Sequence, residues 1–282
     1  MYLLFYSPLL YDLGRRPRPL IIQVADIFAS NFFGSLPVKI IPVLDILEGV
    51  VVRGIAGRRD QYRPILSCLT TEIEPLAVAE AIRNSFGLNE LYVADLDGIQ
   101  AHQPNLEIYQ RLHEAGFQLL IDPGIRTVTD VQLLHDAGLS DLIVGLESCA
   151  SLLELNRMIQ KSPRITFSLD LLRDAVRRQN ETTGFSDQPK EIIRQVVQAG
   201  VTSILPLDLA DVGMGTGGST DLICRFIREV FPNVRVLAGG GVRNSQDLLR
   251  LKQLGVDAVL VASALHDGRL DRKALNEIQT DA

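Results

Sequence analysis

GIRTVTDVQLLHDAGLSDLIVGLES (124–148) and GVRNSQDLLRLKQLGVDAVLVASAL (241–265) decide the fold. They align without gaps, with Gly124/Gly241, Arg126/Arg243, Asp130/Asp247, Leu134/Leu251, Gly138/Gly255 and Val144/Val261 identical. Each holds an amphipathic stretch closed by glycine and then a short apolar run, which reads as helix followed by strand. Outward from this pair the chain repeats the alternation. Apolar runs occur at 39–45, 90–95, 117–122, 141–145, 164–170, 201–208, 233–239 and 257–262. Each is almost continuously apolar, as a strand buried on both faces should be. Alternation alone permits an open doubly wound sheet or a closed barrel. The repeat favours closure. VLDIL (43–47) is echoed by SLDLL (168–172), and ADL (94–96) by LDL (207–209), so units one to four resemble units five to eight. Two similar four-unit halves close into a ring with approximate twofold symmetry. The turn after Asp45, ILEGVVVRG, also lacks the G-x-G-x-x-G of a dinucleotide-binding sheet. The expected fold is an α/β (β/α)8 TIM barrel over 38–282, built from two half-barrels. Helices are expected over 105–116 and 245–255, with Gly116 and Gly255 as C-terminal caps.

Residues 1–37 read as an N-terminal extension. The start is apolar and aromatic, Pro8 breaks it, and no Lys or Arg precedes it as in a secretory leader. A dispensable segment, or a translation start placed too early, is expected there. Across the 282 residues, 28 Lys+Arg against 34 Asp+Glu give a net charge of -6, which argues against a general nucleic-acid or membrane-surface binder. Cys68, Cys149 and Cys224 stand far apart, with no C-x-x-C, so neither a disulfide framework nor a zinc site is expected. No apolar run reaches the roughly 18–20 residues of a membrane span. A cytoplasmic enzyme, monomeric or a small homo-oligomer, is the expectation, with no nucleic acid, membrane, metal or cofactor as partner.

Barrel chemistry sits at the C-terminal ends of the strands. Strand one ends in Asp45 and strand five in Asp170, opposite each other across the mouth. Opposed carboxyls can divide acid and base roles when their surroundings separate them. Either could instead simply cap its following loop. Strand seven ends in AGGGVRNS (238–245), and Gly240, Gly241 and the Ala262-Ser263 turn after strand eight are the candidate phosphate cradle. The repeat puts a second cradle at DPGIRT (122–127), with Gly124 and Arg126. Asp122 and Pro123 count against it, because proline lacks the N–H donor and aspartate repels an anion. Asp208 at the end of strand six and Thr216 in the following loop are further ligand candidates. Arg53, Arg58, Arg59 and Arg63 in loop one suit a phosphorylated substrate, or form a solvated charge run. The polar stretch 179–184 is a candidate closing loop, and His102 lies on the mouth side.

At IIPVLDILEGVVVRG, YVADLDGIQAHQPN, SLD, AGGGVRN and VASALHDGRL the chain resembles the histidine-biosynthesis ProFAR isomerases (phosphoribosylformimino-5-aminoimidazole carboxamide ribotide isomerases), over roughly 39–272. The resemblance implies a cofactor-free Amadori rearrangement of an aminoaldose to an aminoketose. It implies Asp170 as the general acid that opens the ribose ring and Asp45 as the base that takes the C2 proton. Three positions depart from the family: Asp122-Pro123 replaces a glycine run, Asp174 stands where a glycine is usual, and Glu147 replaces a small residue. The chain also has no Trp, which the family carries in loop five. A diverged barrel enzyme on another phosphorylated substrate, as in methanopterin-linked one-carbon metabolism, is the alternative. A non-catalytic phosphate-ligand barrel is a second.

Overall fold

The computed structural model describes residues 37–162, 164–172, 175–177, 182–210 and 220–280. Residues 1–36 of the 1–37 extension lie outside the described residues, and so do Asp174, residues 178–181 and Thr216. Each apolar run becomes a strand: β1 (Lys39–Leu47), β2 (Glu90–Asp95), β3 (Gln118–Asp122), β4 (Leu142–Gly145), β5 (Ile165–Leu172), β6 (Ser203–Asp208), β7 (Arg235–Ala238) and β8 (Ala258–Val261). Neighbours pair in parallel in chain order, and β8 returns to β1 with Ile41 opposite Leu260, which closes the barrel. The helices that follow the strands are α1 (Pro75–Phe86), α2 (Leu106–Glu114), α3 (Val128–Asp136), α4 (Leu152–Lys161), α5 (Pro189–Gln198), α6 (Asp221–Val230), α7 (Ser245–Gln253) and α8 (Arg272–Thr280). The result is a (β/α)8 TIM barrel. After β1 the chain doubles back, and Val50–Arg53 pairs antiparallel with the strand end, Asp45 opposite Val52.

The identical residues of the repeat do the same work in both halves. Asp130 accepts from the Arg126 N–H at 2.9 Å, and Asp247 accepts from the Arg243 N–H at 2.9 Å. Each acid anchors the start of its helix, where unpaired N–H groups favour negative charge. Both helices end with a glycine just past the last turn, Gly138 and Gly255, at φ of 81° and 76°. The next N–H reaches back five residues, Leu139 to the Leu134 carbonyl and Val256 to the Leu251 carbonyl.

Side chains alternate across each strand. Ile41, Leu120, Ile143, Leu205, Leu237 and Leu260 point inward and fill the barrel. The other face of each strand packs Leu44, Val93, Ile121, Val144, Phe167 and Val259 against the helices. The hydroxyls of Thr166 and Ser203 meet inside at 3.0 Å. Counting by twos from these residues places Asp45, Tyr92, Asp122 and Asp170 on the inner face and Asp208 on the outer one. Among the described residues, no helix is long and apolar enough to cross a membrane.

Candidate active site

Asp45 and Asp170 line one cavity at the C-terminal mouth, with about 980 Å³ of empty space counting its open entrance. The Ser168 hydroxyl, two residues back on the same face, donates to Asp170 Oδ1 at 2.8 Å, and the Glu147 N–H donates to Oδ2 at 3.1 Å. Burial raises the Asp170 pKa to about 7, helped by the charges of Asp122 and Glu147. Burial also raises Asp45 to about 7, against the pull of Arg59 and the Gly54 N–H. Asp122, at the end of β3, lines the same cavity. Its carboxyl accepts from the Tyr92 hydroxyl at 3.2 Å and the Gly124 N–H at 3.2 Å. Burial, only partly offset by those two bonds, raises Asp122 to about 6. Tyr92 stands among the acids, and burial together with the charges of Asp122, Asp170 and Asp45 pushes its hydroxyl well above the ordinary phenol range. Acids that titrate near neutrality suit proton transfer, since each is available in both forms.

The rim at β7 and β8 has a different character. Gly240, Gly241, Ala262 and Ser263 line the same cavity as the acids. Gly240 and Gly241 take φ of 85° and 73°, left-handed backbone that glycine adopts without steric cost. Among the described residues no protein acceptor takes either N–H. The start of α7 is less available. Asn244 accepts from the N–H groups of Gln246 and Asp247 at 3.0 and 3.2 Å. The donors free for an anion therefore belong to the glycine turn and not to the helix end. Ser263 Oγ accepts from Arg269 at 3.0 Å.

Several anticipated residues lie elsewhere. Gly124 and Arg126 line a separate shallow hollow with His102, and Arg126 contacts the His102 ring there. Gly124 serves close packing: a Cβ on it would fall 2.5 Å from Ile99 Cα. The segment Leu96–Ala101 occupies the space beside loop three, pinned by Asp95, whose carboxylate accepts from the Gly98 N–H at 3.0 Å and the Asn105 N–H at 2.7 Å. Asp208 is on the outer face and caps its own turn, accepting from the Ala210 N–H at 2.9 Å, while Leu207 lines the cavity. Three of the four loop-one arginines, Arg53, Arg59 and Arg63, are engaged by protein partners. Arg53 holds Asp267 through two bonds of 2.6 and 2.8 Å, and Arg63 bonds the carbonyls of Asp60 and Tyr62.

Arg59 forms a clasp that no motif announced. It pairs through two bonds of 3.1 and 2.9 Å with Glu147, and Arg177 joins the same carboxylate at 3.3 Å. Loop one is thus drawn over the mouth to the ends of β4 and β5, with Tyr62 and Gly57 also on the cavity wall. Tyr92 was discoverable by alternation, being two residues before inward-facing Ala94. Glu147 was visible only as an unusual residue at its position.

The sequence profile of the histidine biosynthesis protein family matches residues 39–271. An uncharacterized protein of Methanocaldococcus jannaschii is 30% identical over 236 residues, covering 83% of this chain and 95% of that protein. The 1-(5-phosphoribosyl)-5-(5-phosphoribosylamino)methylideneamino imidazole-4-carboxamide isomerases of Lacticaseibacillus casei and Listeria welshimeri are each 27% identical, over 245 and 251 residues, covering 86% of this chain and 99% of each enzyme.

Proposed function

The chain belongs to the histidine biosynthesis protein family, and from that premise we propose that it is an aldose–ketose isomerase of a phosphorylated aminoaldose. The observation that carries the reading is that Asp45 and Asp170, from opposite strands, line one cavity whose rim presents the Gly240-Gly241 turn. In this reading the substrate phosphate rests on that turn and on the Ser263 side of loop eight. Asp170, protonated, gives its proton to the ring oxygen, and the ring opens to a Schiff base. Asp45, ionised, takes the proton from C2, and the enolamine then tautomerises to the ketose. Each transfer contributes about 10²–10⁴-fold in rate.

The named relatives point to ProFAR, and their substrate carries two phosphoribosyl groups. Asp122, a carboxylate at the cavity wall where the half-barrel repeat puts Gly239, favours a second reading in which the isomerase takes a different phosphorylated substrate. Two assays separate them: ProFAR turnover by the purified protein, and rescue of a histidine auxotroph lacking the isomerase. Turnover with rescue is the result expected for the histidine step. Absence of both in a folded, phosphate-binding protein supports the second. Rescue that survives Asp45→Asn and Asp170→Asn together would remove the acid and base assignment.

A further inference from the structure

We propose that the β3–β5 side of the cavity receives a cation, so that the substrate is a sugar monophosphate bearing a protonated amine far from its phosphate, with Asp122 as the residue that selects it. The inference rests on the isomerase reading only through the phosphate cradle of β7 and β8. The internal repeat supplies the contrast. The register that pairs Gly124 with Gly241 also pairs Asp122 with Gly239 and Pro123 with Gly240. Where one half-barrel lines the cavity with a glycine turn whose N–H groups have no protein acceptor among the described residues, the other lines it with a carboxylate. Pro123 has no N–H, and the Gly124 N–H is already bound by Asp122 Oδ1 at 3.2 Å.

Among the described residues, the backbone beside loop three is also tightly packed. A Cβ on Gly98 would fall 2.5 Å from the Pro123 carbonyl oxygen, so backbone lies directly against backbone beside loop three. Arg126, the only basic residue of that loop, faces His102 in the separate hollow. Two carboxylates gather over Gly145: a Cβ there would lie 3.2 Å from Asp170 Oδ2 and 3.9 Å from Asp122 Oδ2. Glu147 takes both Arg59 and Arg177. Among the described residues no Lys or Arg forms an ion pair with Asp122 or Asp170. An ammonium group meets the Asp122 carboxylate here, while a phosphate meets like charge.

The test is calorimetric titration with glucosamine 6-phosphate, glucose 6-phosphate and fructose 1,6-bisphosphate, with inorganic phosphate as the reference for the cradle. The first two differ only in an ammonium for a hydroxyl. Glucosamine 6-phosphate is expected to bind more tightly by roughly 10–100-fold, the range of one charge-assisted hydrogen bond, and the bisphosphate weakest of the three. In Asp122→Asn, which keeps the side-chain shape, the ratio is expected to fall near one. Equal binding of the two hexose phosphates by the unmutated protein overturns the inference and leaves the cradle standing, as does tightest binding of the bisphosphate. A ratio that persists in Asp122→Asn removes Asp122 from the role. If neither inorganic phosphate nor any sugar phosphate binds, the cradle itself is wrong and both readings fall.

Discussion

Asp45, Asp122 and Asp170 share one physical condition: each is placed by strand alternation on the inner face, where burial favours the neutral acid. In the proposed isomerase reading the productive state, Asp170 protonated with Asp45 ionised, is populated only around neutrality, with Asp45 and Asp170 both near 7. The pH profile of kcat/KM is therefore expected to be bell-shaped with its maximum near pH 7. A profile rising to a plateau above pH 5 would contradict it. The same burial sets a stability trend. A raised folded-state pKa means that the native protein holds more protons than the unfolded chain between about pH 4 and pH 7, so stability falls as pH rises through that window. Asp122, raised to about 6, contributes to that slope. Asp122→Asn is expected to flatten it and to raise unfolding free energy above pH 7 by about 1–3 kcal/mol, at about 1.4 kcal/mol per tenfold change in proton affinity. Urea unfolding at pH 5 and pH 8 reads it directly.

Among the loops, burial and pairing decided what was legible. The strands could be read because parallel strands covered on both faces are continuously apolar. Asp45 and Asp170 could be read because they end such runs. Asp208 ends one too, but it lies one residue past inward-facing Leu207, and a single residue turns a side chain to the other face. Arg126 resembled an anion ligand because its side-chain contact with His102 comes from a different loop and leaves no local pattern. The clasp of Arg59 with Glu147 spans 88 residues and leaves no local pattern. Glu147→Gln removes the charge that holds Arg59 and Arg177. Tryptic cleavage after Arg58 or Arg59 is expected to accelerate by about tenfold, consistent with the loss of about 1.4 kcal/mol of local closure. An unchanged cleavage rate would mean that loop one is held by other contacts. Gly124→Ala forces a Cβ toward the Ile99 backbone at a φ of 75°. It is expected to cost about 2–4 kcal/mol of stability in urea unfolding, the range of severe backbone conflicts.

The whole barrel reads as two half-barrels with a shared scaffold and opposite polarity at the mouth. Arg126 with Asp130 and Arg243 with Asp247 keep the same helix-start geometry. At the rim the halves part, with glycines on the β7 side and carboxyls on the β3–β5 side of one cavity, and the proposed function has a single small molecule use both. The measurement that reaches this claim most directly needs no substrate: a carbon-13 titration of the Asp45 and Asp170 carboxyls, assigned through their Asn variants, with and without inorganic phosphate. Apparent pKa values near 7 that move up when phosphate binds are the predicted result, because a bound anion in the same cavity disfavours both ionised forms. Two carboxyls titrating near 4, indifferent to phosphate, would contradict it.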